Sequence, residues 1–299
     1  MSDVVRRLLQ GGVDLHCHSG PSPFPRRVDH VQIARHYAAS GFRAVVVKSH
    51  HHVTAFDVAA LGPHGLAGLP VEVCGGVALN GPVGGVNPRA VDLALKMGGR
   101  VVWLPTIGAA RHIAFHEAHP DAFPHPAMQL LSEEAIDVVG IDGELTAGTR
   151  EVVELVVEAD AVLASGHLSP AEIEMAFEAA VAAGGRRLLL NHPNFIVEAS
   201  PDVAARLVGL GAYVEHNLSL YDEDSTFHRW SVEVLADWIK EIGAEHTILA
   251  SDLGQKGNPL PFDSYVKVCE RLLDCGVRER EVRRITVDNS ARLLGLEPW

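Results

Sequence analysis

A chain of 299 residues, 47% of them hydrophobic, is long enough to bury a large core and of a size that one α/β barrel routinely reaches. A net charge of −13 leaves no overall basic character for nucleic acid or an anionic membrane, so neither is an expected partner. Four cysteines without a CxxC pair argue against a disulfide framework or a structural zinc site, and a reduced, cytoplasmic setting is expected.

The chain starts without the long apolar segment of a signal peptide, and no apolar run approaches the roughly 18 residues of a membrane helix. A first strand is expected over 13–17, inside the string Asp14-Leu15-His16-Cys17-His18, followed by a proline-rich loop and a helix over 29–39. Strands over 43–48 and 71–79 follow, then a helix over 88–97 and a strand over 101–104. A long connection, about 107–148, carries His112, His116, His119 and His125 and ends in an expected hairpin over 138–146. Connections of that length inside a compact domain are usually functional, often lids. Beyond it the pattern resumes: helix 150–159, strand 161–165, helix 170–183, strand 188–191, helix 201–208, strand 212–215, helix 232–242, strand 247–251 and helix 264–275. A short closing helix stops at Gly295.

Strands alternating with helices of this length imply right-handed βαβ units and a parallel sheet. Runs such as Ala44-Val45-Val46-Val47 are apolar throughout, as strands buried on both faces must be. Eight such units without a break in composition predict a single (β/α)8 TIM barrel domain over 1–299, with a long histidine-containing insertion after strand 4. An open doubly wound sheet is the alternative, but no GxGxxG follows the first strand.

Histidine is the compositional outlier, with 17 copies. On a strand, residues i and i+2 share a face, so His16 and His18 project together while Cys17 points away. Barrel enzymes carry their chemistry at the C-terminal strand ends. Those ends offer Lys48, His50 and His51 on strand two, Asn80 on strand three, and Trp103 to Thr106 on strand four. His167, His192 and Asp252 close strands five, six and eight, while Glu215 and His216 compete for the inward position on strand seven. Imidazole and carboxylate together suit a divalent ion, with zinc expected and manganese, iron or nickel compatible with the same ligands. Asp252 is the candidate for proton transfer. His50, His51, Glu215 and Arg26 of the proline-rich loop are candidate substrate contacts, the arginine as a bidentate partner for a carboxylate. The insertion histidines follow no tight spacing and read as solvated, and Cys17 and Cys74 read as packed thiols.

The strings "DLHCHSGPSPFPR", "VVVKSHH", "LASGHLSPAEI", "LLLNHPNF" and "ILASDLGQ" resemble a poorly characterised branch of the amidohydrolase superfamily of metal-dependent barrel hydrolases. The resemblance runs from near residue 12 to the closing "NSARLLGL". It implies that His16, His18, His167 and His192 are metal ligands and that Asp252 is both ligand and proton-transfer group. Many binuclear members carry a carboxylated lysine at the end of strand four, where this chain has Trp103 and Thr106. Lys48, on strand two, is then either a carboxylated bridge between two ions or a cation for a substrate carboxylate, and one or two metals are compatible with the chain.

The reaction expected first is hydrolysis of an amide, cyclic amide, lactone or ester of a small molecule by metal-activated water. A mononuclear-metal decarboxylase or lyase is the alternative, and a non-catalytic metal-binding protein a remote one. A phosphoesterase with an HxH strand ranks low, because it needs further ligands where this chain has Asn80 and Trp103. A homo-oligomer is expected on the general habit of barrel enzymes alone.

Overall fold

The computed structural model describes residues 2–297. Among the described residues nine short strands run in chain order: β1 Val13–Cys17, β2 Ala44–Val47, β3 Glu72–Cys74, β4 Gly76–Ala78, β5 Val101–Trp103, β6 Val162–Ala164, β7 Leu188–Asn191, β8 Tyr213–Asn217 and β9 Thr247–Ala250. The fold is α/β with parallel strand pairing. The expected third strand splits at Gly75 into β3 and β4, where the Thr54 hydroxyl accepts from the Gly76 N–H at 2.9 Å. Among the described residues no helix is long and apolar enough to cross a membrane.

The described chain falls into two compact units. The first takes the residues up to Val47, then Ala60–Cys74, then those from Glu215 onward. Its sheet runs β1-β2-β3, with Val13 opposite Ala44 and Ala44 opposite Glu72. All four residues of β2 are buried, as the apolar run requires. On the other side of β1 lies the segment leaving β9, tied by Asp252 N–H to His16 O at 2.7 Å and His18 N–H to Leu253 O at 2.8 Å. The helix His30–Ala39 begins with a capping box between Asp29 and Gln32 and lays Tyr37 against Phe42.

At the centre of this unit Asp14 is fully buried. Its carboxylate accepts from the backbone N–H of Ser251 at 2.9 Å and of His16 at 3.1 Å, and from the hydroxyls of Tyr37 and Tyr265. Burial pushes this carboxyl up to about 6, against the opposing pull of those donors.

The second unit takes 48–59 and 75–214 and carries the parallel order β4-β5-β6-β7. Gly76 pairs with Val101, Trp103 with Ala164, and Leu163 with Leu188. Helices Pro88–Lys96, Ala147–Glu158 and Pro170–Ala182 match the sequence periodicity within a few residues. The long connection after β5 is not structureless: it forms a helix over Ala110–Ala118, which the sequence reading did not separate from loop. The expected hairpin over 138–146 shrinks to one antiparallel bridge, Val139 with Leu145.

Gly254, just past β9, has φ +126°, and a Cβ there would lie 2.4 Å from the His18 carbonyl oxygen. Gly257 also has positive φ but faces open space. Gly254→Ala is therefore expected to cost about 1–3 kcal/mol, and clearly more than Gly257→Ala, when unfolding of the two variants by urea is compared.

Candidate metal centre and surrounding site residues

In the first unit, β1 delivers His16 and the residue just beyond it delivers His18, with both rings buried. Cys17 between them turns away and its thiol donates to the Leu253 carbonyl at 3.4 Å. The period-two placement read from the sequence is thus realised. His16 Nε2 lies 3.3 Å from His18 Nε2, and Asp252 Oδ1 lies 3.3 Å from the first and 3.1 Å from the second. These three atoms form a group able to hold a metal ion. Ligands at the usual zinc distances of roughly 2.0–2.1 Å, set tetrahedrally, stand about 3.3–3.4 Å apart. The triangle therefore has the size of one face of such a site.

Protonation states agree with that fit. His16 Nδ1 lies 2.8 Å from Glu215 Oε1, both side chains fully buried, so Nδ1–H donates to the carboxylate and the Nε2 lone pair faces the group. Asn217 donates to the same Glu215 oxygen at 3.1 Å. Burial pushes His18 down to about 3, with Asp252 opposing, so its ring is neutral at pH 7. Asp252 is the partly open member, with 19% of its side chain exposed, and Ser219 donates to its second oxygen at 3.4 Å. Its backbone is in the left-handed region, φ +50°, a conformation costly for a non-glycine residue. His192 in the second unit shares this feature at φ +47°.

Glu215 wins the contest for the functional face of β8, while His216 packs against Tyr221 and Trp238. Glu215, expected as a substrate contact, is completely buried and holds the His16 ring through its Oε1. Arg26 is half-buried, and its backbone bridges antiparallel to Gln255. Burial pushes its guanidinium down to about 10, against the attraction of Asp252.

In the second unit, Lys48 is buried with Nζ 5.2 Å from the centre of the Trp103 ring. Trp103 therefore forms a wall for the lysine that follows β2. His50 Nδ1 lies 2.8 Å from the Thr106 hydroxyl. Fully buried Asn80 holds this corner together: its amide donates to His50 O and Thr106 Oγ1, and its oxygen accepts from the N–H groups of Thr106 and Gly108. His51 is partly buried and meets His50 edge-on, 6.3 Å between centres. The rings of His167 and His192 are 5.1 Å apart, and those of His50 and His167 6.1 Å apart.

One insertion histidine departs from its expected solvated state. His112 is buried, stacked between Phe123 and His167, with Nδ1 2.8 Å from His167 Nδ1. Burial, helped by the charges of His116, His192 and Lys48, pushes it down to about 3. No spacing rule marks His112, because the contact joins residues 55 positions apart. His116, His119 and His125 are exposed, as expected.

A model described as a family of unknown function, DUF6282, matches residues 11–215. No curated protein matches the chain. Among solved structures, an amidohydrolase from Pseudomonas aeruginosa is similar at 12% identity and TM-score 0.60, covering 98% of this chain and 97% of the other. A mutant of a Deinococcus radiodurans PTE-like lactonase is 14% identical at TM-score 0.56, with 97% of each chain covered. An N-acetyl-D-glucosamine-6-phosphate deacetylase from Mycobacterium smegmatis is 16% identical at TM-score 0.56, covering 96% of this chain and 76% of that one. The chain thus shares the α/β fold of these solved structures.

Glu215→Gln keeps the shape but lets an amide face His16 Nδ1 without the carboxylate's charge. Metal affinity, measured by competition with a chromogenic chelator, is expected to fall about 10–100-fold, with little change in fold by circular dichroism.

Proposed function

The chain belongs to the DUF6282 family, whose function is unknown, and we propose that this member is a metal-dependent hydrolase of a small-molecule amide, cyclic amide, lactone or ester. The observation that carries this reading is the triangle of His16 Nε2, His18 Nε2 and Asp252 Oδ1, with edges of 3.1–3.3 Å. Support comes from the shared fold: similar structures include a lactonase, an amidohydrolase and a deacetylase.

His16, His18 and Asp252 would hold the first divalent ion, most naturally zinc, with manganese, iron or nickel compatible. His167 and His192 are the candidate metal ligands of the second unit, and one or two ions per chain are compatible with these residues. The chemistry such an ion supplies when bound is Lewis acidity, which makes water a nucleophile near neutral pH and polarises a carbonyl.

The chain's own residues do the rest. Glu215 holds His16 in the tautomer that presents Nε2. Asp252, the partly open carboxylate, takes the proton of the attacking water and returns it to the leaving nitrogen or oxygen. Ser219 steadies its second oxygen meanwhile. In the second unit, Asn80 and Thr106 lock His50 for contact with substrate, and His112 fixes the ring of His167. Lys48 enters as a cation or, after reaction with carbon dioxide, as a carbamate ligand. Four free cysteines, three of them buried, suit a reducing cytoplasm.

The test pairs metal content with turnover. Protein purified without chelator is expected to carry one or two divalent ions per chain by plasma mass spectrometry and to hydrolyse a member of an amide, lactone and ester panel. Asp252→Asn is expected to lower kcat by about 10²–10⁴-fold, at metal concentrations that restore full occupancy. Full turnover in that variant, or wild-type protein indifferent to chelators, would overturn the reading.

A further inference from the structure

The proline-rich loop after β1 is held down along its length. Gly20 pairs with Asp29 across it, Arg27 N–H donates to Gly254 O at 2.8 Å, and Lys256 N–H donates to Pro25 O at 3.0 Å. These bonds flank the antiparallel bridge between Arg26 and Gln255, so the backbones of both residues are fixed. Gln255 is buried, and its amide donates to the Asp252 carbonyl at 3.1 Å, tying it to the residue that completes the metal group.

Two polar atoms are left over at this place. Arg26 Nε and Gln255 Oε1 are buried and, among the described residues, have no hydrogen-bond partner. No carboxylate pairs with the Arg26 guanidinium within ion-pair distance among those residues either. Asp252 is near enough to attract it, and Arg26 is near enough to His18 to disfavour its protonation. Yet the Asp252 oxygens are already directed elsewhere, Oδ1 to His16 and His18 and Oδ2 to Ser219. A half-buried guanidinium without an anion is costly, and so is a buried amide oxygen without a donor. Native structures keep such groups where something else completes them. The guanidinium fork matches a carboxylate in charge and shape, and the amide oxygen accepts one N–H or O–H.

We propose that Arg26 and Gln255 form a subsite beside His16, His18 and Asp252 that recognises a carboxylate on the substrate, with Gln255 accepting from a neighbouring N–H or O–H. The substrates are then small acids that also carry the bond to be cleaved, a substrate class that rests on the hydrolase reading above. The carboxylate-binding itself does not. Arg26 acts in specificity: it holds the acid end of the molecule and takes no part in moving protons.

The probe is succinate, with succinamide as its uncharged counterpart, titrated calorimetrically into chelator-treated protein so that no metal contributes. Wild type is expected to bind succinate at least about tenfold more tightly than succinamide, a difference of about 1.4 kcal/mol. Arg26→Gln is expected to erase that preference and Arg26→Lys to keep part of it, with thermal midpoints confirming that both variants are folded. On zinc-loaded protein, the mono-4-nitroanilide of succinic acid is expected to be preferred over 4-nitrobutyranilide, and Arg26→Gln to remove the preference mainly through KM. Wild type that does not distinguish succinate from succinamide, or Arg26→Gln that binds succinate like wild type, would sink the subsite. Succinate binding without any anilide hydrolysis would leave the subsite standing and count against the hydrolase reading alone.

Discussion

The buried carboxylate of Asp14 is the constraint on which the metal group depends. A charged or half-charged oxygen pair cannot sit in the core unless donors surround it, and here the donors are the backbone N–H groups of His16 and Ser251 and two tyrosine hydroxyls. Two of those donors belong to the segments that carry His16, His18 and Asp252. Satisfying Asp14 therefore sets the backbone of His16 and of the residue before Asp252 in one step. Burial still holds the carboxyl up at about 6 although hydrogen bonds from Ser251, Tyr37 and His16 pull it down, so the ring of donors is what keeps the cost tolerable.

From that anchor the ligand side is built in layers. Glu215 stands behind His16, Asn217 stands behind Glu215, and Ser219 reaches Asp252. Glu215 and Asn217 come from alternate positions of β8, so the strand's period of two selects them together, and Ser219 comes from the 3-10 turn that follows. The second unit uses an uncharged counterpart of the same idea. Asn80 spends its whole amide on Thr106, Gly108 and His50, and His112 spends one ring nitrogen on His167. Side chains locked in this way lose little further entropy when they bind. The left-handed backbones of Asp252 and His192 add to the picture, since strain at a non-glycine residue persists only where the surroundings impose it.

Much of this was legible beforehand. The strand runs, the helices with their proline and serine starts, and the HxH face follow from period and capping chemistry, which are local. The alternation of elements pointed to parallel pairing for the same reason. Other features were illegible for a definite cause. Glu215 and His216 are adjacent, and only the register of β8 shows which one lies on the ligand face. His112 sits in an insertion with no periodic partner, so its burial depends on Phe123 and His167 closing around it. The helix Ala110–Ala118 is short and weakly amphipathic, and the expected hairpin keeps a single bridge.

The sequence by itself determined which residue types are present at strand ends: paired histidines, single histidines, one aspartate and a lysine. It could do so because strand and helix periods are properties of a few neighbouring residues. Only the tertiary structure decided what those residues do. It turned Glu215 into the orienting partner of His16, set Lys48 on Trp103, and left Arg26 and Gln255 with unanswered hydrogen-bonding groups. Each of these depends on contacts between distant parts of the chain, and such contacts are fixed by packing and by the need to satisfy buried polar atoms, which no local pattern records.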